Sequence, residues 1–398
     1  MALRPQSLAF TFLIGALAAL PPLSIDLGLP ALNLLESSLG ASHTQAALTL
    51  SLFLVGFGLS QLVMGPLSDR HGRRPVMLAG MTLYALAGLG CALSTSIEAL
   101  LAFRLLAGIG AAGGTTLAMA VVRDSFEGQA GRIKMSQVSM VITIAPIIAP
   151  TLGGLLLFHD WRVIYATLAL ADAVLVAAVW LGLAESRPPL PGARLDLVGR
   201  YAAVFQHRRT MGYVLVNTLG SGGLFAFIAG SPMLLMGTMG VSTAVFGLLF
   251  ATTSSGILLG STINNILARR GVGARAPLAV GLSLGPLAAL GAALVTGAGI
   301  VSVATFIPFV VVVGICRGLT TPNITHAALE PVPHHAGVTA ALMGAGQMLC
   351  MAVASVVVAE MHDDYGALGV ALTMLGFLSA GLISWLLVER AVRQGRLA

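Results

Sequence analysis

Charged residues are scarce in this sequence: Asp, Glu, Lys and Arg together make up only 9% of 398 positions, against roughly 25% in ordinary soluble domains. Because 57% of the residues are hydrophobic, the scarcity excludes a water-soluble globular chain. Cysteine is also rare. Cys91, Cys316 and Cys350 show neither pairing nor metal-ligand spacing, so we expect them to pack between helices and we expect no metal site.

Catalytic and nucleic-acid-binding motifs are missing as well. A membrane enzyme would need a nucleophile with its base, an HExxH motif or paired acidic metal-binding motifs, and none is present. The formal net charge of +6 suits a nucleic-acid binder only if the basic residues form one patch interleaved with aromatics, which they do not. We therefore expect no enzymatic activity, no cofactor and no nucleic-acid partner.

Long apolar runs are abundant instead. A helix needs about 20 apolar residues to cross a bilayer core, and windows of that length predict twelve spans. They lie near 8–28, 45–66, 75–94, 99–121, 134–157, 162–184, 211–236, 244–268, 276–296, 300–322, 337–358 and 366–388.

The basic residues fall in alternate loops between these spans, and only Arg162 lies in a loop on the opposite side. The positive-inside rule makes the basic side cytoplasmic, with both termini inside. Ala16-Leu17-Ala18 also resembles a signal-peptidase site. Because cleavage there would leave eleven spans and an outside N-terminus, we expect the first span to be retained.

The longest polar stretch divides the spans into two sets of six. We predict an N-terminal bundle over 1–184, a cytoplasmic linker over 185–210 and a C-terminal bundle over 211–398. Arg73-Arg74-Pro75, between spans two and three, has a counterpart in Arg275-Ala276-Pro277, between spans eight and nine. Such internal repeats are typical of transporters whose halves rock about a central site.

Three motifs carry a family resemblance. The stretch "GPLSDRHGRRP" (65–75) between two spans, "RLLAGIGAAGGTTLAMAVVRD" (104–124) at the end of span four and "APIIAPTLGG" (145–154) in span five resemble signatures of the major facilitator superfamily. The third resembles the signature of its antiporters, although Ala149-Pro150 replaces the usual Gly-Pro. "SIDLGLPAL" (24–32), "PNITHAAL" (322–329) and "AGVTAALMGAGQ" (336–347) resemble the Bcr/CflA group of bicyclomycin and chloramphenicol exporters.

The resemblance implies an all-α membrane protein with the major facilitator superfamily fold, two six-helix bundles related by pseudo-two-fold symmetry. It implies a proton-coupled drug antiporter of the bacterial inner membrane, acting as a monomer on chloramphenicol- or bicyclomycin-like compounds and driven by the proton gradient. Export of a sugar or other metabolite is the alternative, although it would need more polar side chains in the cavity-lining spans. A passive channel and a polytopic membrane enzyme are further, less favoured alternatives.

Ionisable residues inside spans are functional candidates, because a charge costs several kcal/mol in hydrocarbon. We expect Asp26 to carry the proton and Arg104, whose guanidinium stays charged when buried, to control the protonation of an acidic neighbour. The alternatives are a structural carboxylate at Asp26 and an Arg104 that only joins helices. The roles of Asp172 and Arg317 stay open.

Mixed polar and aromatic side chains on the spans suit a cavity for moderately apolar drugs. The candidates for its lining are Phe53, Gln61, Asn217, Phe225, Arg317 and Gln347.

The charged turn between spans two and three is a candidate latch that holds the cytoplasmic side shut. The latch residues, of which the last lies at the foot of span four, are Gly65, Asp69, Arg70, Gly72, Arg73, Arg74 and Asp124. We expect Gly65 to permit a close helix approach and Asp69 to face a helix N-terminus, by resemblance that of span eleven. We also expect Arg73 to pair with Asp124. Positive-inside topology alone would explain the arginines, but not the glycines or Asp69.

Span five is a candidate gate against proton leak, because Pro and Gly permit a bend and tight helix contact. An ordinary packing kink is equally compatible with these residues: Pro146, Pro150, Gly153 and Gly154.

Overall fold

The computed structural model describes residues 3–157, 160–187 and 197–394, and in these ranges the chain is helical with no β-strand. Twelve of the described helices are long and apolar enough to cross a membrane. The predicted all-α class and the number of spans are thereby confirmed. The chain divides into two compact units, Met1–Leu197 and Val198–Ala398.

The described residues of the N-terminal unit form seven α-helices. Six are span-length and one, α2, is a short helix that hydropathy did not predict. They are α1 (Leu8–Asp26), α2 (Leu32–Leu39), α3 (His43–His71), α4 (Arg73–Leu93), α5 (Ile97–Ser125), α6 (Gly128–Leu156) and α7 (Trp161–Gly182), with a 3₁₀ turn at Leu29–Ala31 between α1 and α2.

The described residues of the C-terminal unit also form seven α-helices, of which α8 is short and lies within the predicted linker. They are α8 (Leu197–Gln206), α9 (Arg208–Ser231), α10 (Thr243–Arg269), α11 (Arg275–Gly297), α12 (Val303–Leu329), α13 (Ala336–Tyr365) and α14 (Ala367–Arg393); α9 continues into a π-helical segment at Pro232–Thr238. Positions 188–196 of the predicted linker lie outside the described residues.

Paired glycines bring helix backbones together in both units. A Cβ on Gly108 of α5 would collide with the Phe53 carbonyl of α3, and one on Gly318 of α12 would collide with the Ile257 carbonyl of α10. Small residues permit such approaches between membrane helices, where packing and not the hydrophobic effect drives association. The two units thus use the same device at corresponding helix pairs.

Large apolar side chains cover the outer faces of the helices, as a lipid environment requires. Leu93, Leu181 and Leu248 are 66–78% exposed. Inside each unit the packing is tight; in the C-terminal unit Tyr213, Ile324 and Trp385 belong to one buried apolar cluster.

The charged stretch at 65–75 is not the turn that we expected. Helix α3 continues to His71 and α4 begins at Arg73, so the chain reverses at Gly72 alone. Gly72 has a φ of +93°, a conformation that residues with a Cβ rarely adopt. Helix α3 therefore extends beyond the apolar window predicted for span two and includes the charged residues that follow it.

Candidate functional site

Arg104 lies in the interior of α5 and is 2% exposed. Its Nε donates to the Thr49 carbonyl at 2.9 Å and its Nη1 donates to Ser24 Oγ at 3.1 Å. The guanidinium carbon lies 4.4 Å from the centre of the Phe53 ring and 5.5 Å from that of Tyr165. Hydrogen bonds donated to neutral acceptors, together with cation–π contacts, therefore hold a permanent charge in the middle of the unit.

Asp26 is the last residue of α1, which ends just before the 3₁₀ turn, and it is 5% exposed. Among the described residues, no ion pair or side-chain hydrogen bond joins its carboxylate to Arg104. The neighbour that we expected Arg104 to control is therefore not in direct contact with it. Ser24, two positions earlier on α1, occupies that place.

Three of the predicted cavity residues meet in the C-terminal unit. Arg317 Nη2 of α12 donates to Asn217 Oδ1 of α9 at 3.1 Å, and Asn217 Nδ2 is 3.4 Å from Gln347 Oε1 of α13. Arg317 also lies in the wall of a cavity together with Leu224 and Thr320. No carboxylate of the described residues pairs with Arg317, so its charge is available to an acceptor group in that cavity.

The other predicted cavity residues do not join this cluster. Phe225 is 2% exposed and Phe53 is fully buried under Arg104. Gln61 is half-buried on α3, and its Oε1 is buried without a hydrogen-bond partner among the described residues.

Arg73 lies at the centre of an ionic network at the junction of α3 and α4. Its Nε is 2.9 Å from Asp124 Oδ2, so the expected pair is present. Its Nη1 is 2.8 Å from Asp69 Oδ1 and donates to Ser68 Oγ at 2.5 Å. Asp69 also pairs with Arg187 at 3.3 Å. Arg73 itself is 2% exposed, whereas Asp69 and Arg187 are 34% and 43% exposed, so the network has a buried centre and an exposed edge.

Glu185 completes this network, and sequence reasoning missed it. Its Oε1 accepts from the Arg73 backbone N–H at 2.8 Å and its Oε2 from that of Arg74 at 3.1 Å. It therefore caps the N-terminus of α4, where Gly72 offers no side-chain cap. Within the unit, Asp69 is not the residue that faces a helix N-terminus; its relation to span eleven stays a prediction.

The remaining residues of the stretch have simpler surroundings. Arg74 Nη2 donates to the Trp180 carbonyl at 2.5 Å, and Arg70 is exposed. Within the N-terminal unit, nothing lies within 4 Å of the position that a Gly65 Cβ would take. The close approach expected of Gly65 is therefore wrong for this unit, where Gly56 and Gly108 make it instead.

Helix α6 carries the span-five residues in one continuous helix that includes Pro146 and Pro150. Gly153 and Gly154 are buried. A Cβ on Gly153 would collide with the Leu27 carbonyl that follows α1. The predicted tight contact with a neighbouring helix is therefore made at Gly153, directly beside Asp26.

Twelve apolar helices among the described residues, two compact units and the motifs at 65–75 and 104–124 define a multi-pass membrane transporter. The chain belongs to the Major Facilitator Superfamily, which it matches over residues 8–355. A bacterial homologue of the human lysosomal transporter Spinster has the same fold, with a TM-score of 0.75 at 17% identity over 97% of this chain and 96% of that one.

Curated relatives cover most of the chain. The uncharacterized MFS-type transporter YdgK of Bacillus subtilis is 33% identical over 88% of both chains, and the bicyclomycin resistance protein homolog of Haemophilus influenzae is 28% identical over 92% of both. The chloramphenicol resistance protein of Pseudomonas aeruginosa is 35% identical over 62% of this chain and 59% of its own. The resemblance to bicyclomycin and chloramphenicol resistance proteins is thereby confirmed.

Proposed function

We propose that this protein exports small, mostly apolar drugs from the bacterial cytoplasm in exchange for protons, with chloramphenicol- and bicyclomycin-like compounds as substrates. The relatives named for resistance to these drugs support the substrate class. The observation that carries the proposal is the burial of Asp26, a carboxylate at the end of the first span.

In this mechanism Asp26 binds one proton and releases it as its surroundings change. Burial disfavours the charged form of a carboxyl group, whereas water or a bound cation favours it. Alternating access between the two units would expose Asp26 to different surroundings in turn. The membrane proton gradient would then drive the cycle in one direction, with no cofactor and no catalytic step.

The Arg73 network and helix α6 act as gates in this proposal. The network of Asp69, Arg73 and Asp124 would stabilise the state closed toward the cytoplasm, and α6 would limit proton leak. Asp69→Asn is expected to shift the population toward inward-open states. Cysteines introduced on the cytoplasmic and outer faces report which state is populated. If their accessibility to a thiol reagent is the same in wild type and in Asp69→Asn, this role is contradicted.

We also propose that the protein acts as a monomer with both termini in the cytoplasm. The positive-inside distribution of arginines supports the orientation. The Arg317, Asn217 and Gln347 cluster would contact hydrogen-bond acceptors of the drug, since Arg317 offers guanidinium donors without a carboxylate partner among the described residues.

The test compares wild type with Asp26→Asn in a bacterium that lacks its own efflux pumps. Wild type should raise resistance to chloramphenicol, and adding the drug to energised everted vesicles should dissipate the proton gradient. Asp26→Asn should fold and insert normally but lose both effects. Asp364→Asn, the same change at an exposed carboxylate, is the matched control and should behave like wild type.

Undiminished chloramphenicol export by Asp26→Asn would end the proposed role of this carboxylate. A gradient that does not respond to any drug of a susceptibility panel would contradict drug:proton antiport altogether, and it is the result expected of an enzyme.

A further inference from the structure

Arg317 lies near the middle of α12 and has more hydrogen-bond donors than partners. A guanidinium group carries five N–H donors. Among the described residues, the one side-chain acceptor for them is Asn217 Oδ1, 3.1 Å from Arg317 Nη2. Asn217 Nδ2 in turn lies 3.4 Å from Gln347 Oε1. The Asn217 amide is therefore oriented with its oxygen toward Arg317, and it holds only one nitrogen of the guanidinium.

Acidic side chains of the C-terminal unit lie far from Arg317. Helix α12 packs mainly against α9, α10 and α11, and these three helices contain no Asp or Glu. Glu330 of α12 and Glu360 of α13 each lie about 20 Å along the helix from Arg317 and Gln347, respectively. The acidic residues of the unit are all at or near helix ends: Glu330, Glu360, Asp363, Asp364 and Glu389. Arg317 is thus a permanent cation inside a span without an acidic partner in the described part of the chain, whereas such charges usually pair.

A cavity inside the C-terminal unit lies beside this guanidinium. Arg317 and Gly220 of α9 both line it, and a Cβ on Gly220 would lie 3.5 Å from Arg317 Nη1. The space beside Nη1 is therefore open because residue 220 has no side chain. The cavity has a volume of about 20 Å³, which is room for about one small ion or one terminal group of a larger ligand. Since Arg317 is partly exposed, a ligand can reach it with such a group while its body stays outside.

The chemistry of the cavity wall selects the charge of its occupant. Arg317 is the one charged side chain among the described residues of the wall, and the hydroxyl of Thr320 donates to the Cys316 carbonyl. Most of the other lining side chains are apolar: Leu224, Leu282, Val313, Ile324 and Leu378. One arginine compensates one negative charge, whereas a neutral acceptor would leave its charge uncompensated and a phosphate would bring a second charge into apolar surroundings.

We propose that Arg317 binds a singly charged anionic group in this cavity, supplied by a free chloride ion or by the carboxylate of an apolar ligand. Arg317 Nη1 donates to the anion, while Asn217 keeps Nη2 in place. The consequence for transport rests on the proposed function: the protein would export an apolar drug that carries a carboxylate in preference to a neutral drug of the same shape.

Tryptophan fluorescence of the purified full chain tests this binding without transport. Trp385 belongs to the same apolar cluster as Leu282 and Ile324, which line the cavity. The chain has three tryptophans, so Trp161→Phe combined with Trp180→Phe leaves Trp385 as the single reporter. We expect benzoate to change its emission saturably, and benzamide, which has the same shape without the charge, to bind about tenfold more weakly.

Chloride is the second probe, titrated with sulfate holding the ionic strength constant. Saturation by chloride identifies a free anion as a ligand, and saturation by benzoate without chloride identifies the carboxylate of an organic ligand. If neither anion gives a saturable response, or if benzamide binds as tightly as benzoate and chloride does not bind, the proposal is overturned.

Two variants locate the anion. Arg317→Gln removes the charge, whereas Gly220→Ala keeps the charge but places a methyl group 3.5 Å from Nη1. Each should weaken binding of the anion about tenfold or more. Arg275→Gln removes an arginine of the same unit whose side chain is 57% exposed, and it should bind like wild type. Wild-type affinity in Arg317→Gln would overturn the assignment to Arg317. Should that variant not fold, wild-type affinity in Gly220→Ala would contradict an anion beside Nη1.

The transport consequence is measured as uptake into everted vesicles of nalidixic acid, which carries a carboxylate, relative to chloramphenicol, which does not. Arg317→Gln should lower this ratio about tenfold. An unchanged ratio, or wild-type transport of chloramphenicol without nalidixic acid, would refute the preference for carboxylates. If wild type transports neither drug, the proposed function fails, but the Trp385 titration still decides whether Arg317 binds an anion.

Discussion

The two units differ in what they bury. In the N-terminal unit Asp26, Arg73, Arg104 and Asp172 are at most 5% exposed, whereas the buried polar residues described in the C-terminal unit are neutral Asn, Ser and Thr side chains. Burying a charge costs several kcal/mol unless partners compensate. The cost of fully buried charge is therefore concentrated in the N-terminal unit, as expected if that unit handles protons, whereas Arg317 of the C-terminal unit is only partly buried.

The same contrast holds at two corresponding helix junctions. Arg73 at the start of α4 is enclosed by Asp69, Asp124 and Ser68. Arg275 at the start of α11 pairs with Glu389 at 3.1 Å, but its side chain is 57% exposed. Similar sequences thus place a buried arginine at the centre of a network in one unit and an exposed arginine in an ion pair in the other.

Replacing the arginine at each junction by alanine should give the largest difference in stability between variants of the two units. Arg73→Ala leaves Asp124, whose side chain is 15% exposed, without its partner, and losing one member of a buried pair costs about 3–5 kcal/mol. Arg275→Ala breaks an exposed pair and should cost about 0–1 kcal/mol. Thermal unfolding of the purified proteins in detergent measures both.

Arg73→Lys is the control that separates charge from geometry. Lysine keeps the positive charge but has no planar guanidinium to contact Asp69, Asp124 and Ser68 together. The unfolding temperature of Arg73→Lys should therefore lie between those of wild type and Arg73→Ala. Equal unfolding temperatures for Arg73→Ala and Arg275→Ala would contradict the prediction that Arg73 contributes more to stability than Arg275.

Arginine-to-lysine exchange inside the spans should have the next largest effect. Arg104→Lys keeps a positive charge but loses at least one of the hydrogen bonds to Thr49 and Ser24. A hydrogen bond to a charged group contributes about 1.5–3 kcal/mol, which predicts a loss of roughly ten- to a hundredfold in proton-coupled export. The initial rate of drug efflux from energised cells measures this loss.

Arg317→Lys is the matched change in the C-terminal unit. Arg317 has one side-chain hydrogen bond, to Asn217, so we expect a smaller change in rate and a shift in preference among drugs. Undiminished proton-coupled export by Arg104→Lys would show that the planar geometry of the Arg104 guanidinium has no specific role.

Both units contain a close helix approach at a glycine, so alanine at these two glycines should reduce stability by similar amounts. Gly108→Ala and Gly318→Ala each push a methyl group against a backbone carbonyl of the neighbouring helix, and overpacking of this kind costs about 1–3 kcal/mol. We expect similar downward shifts of the unfolding temperature. Gly376→Ala, in α14 with nothing within 4 Å, is the control and should be neutral or slightly stabilising. A shift in only one unit would show that the paired approaches are not equivalent.

Apolar run length predicted the spans because bilayer thickness sets the length of a crossing helix. It misplaced their ends, since α3 continues through charged residues to His71. Motifs identified Arg104 and the Arg73–Asp124 pair, but not the groups that hold them. Ser24, Thr49 and Glu185 act through positions fixed by tertiary packing, and Glu185 is 112 residues from the Arg73 amide that it caps.

The smallest expected effect concerns that cap. Glu185→Gln keeps one acceptor oxygen for the α4 amides, but it removes a negative charge beside a helix N-terminus, an interaction of about 0.3–1 kcal/mol. Glu330→Gln in the C-terminal unit removes a charge that is 56% exposed and pairs with Arg209 at 3.3 Å, so it should change stability by less than about 0.5 kcal/mol. Hydrogen exchange at the Arg73 and Arg74 amides distinguishes the two variants, because only Glu185→Gln should accelerate it. Unaltered exchange there would mean that the charge of Glu185 contributes nothing to the α4 terminus, and the junction would then depend on the contacts of the Arg73 side chain with Asp69, Asp124 and Ser68.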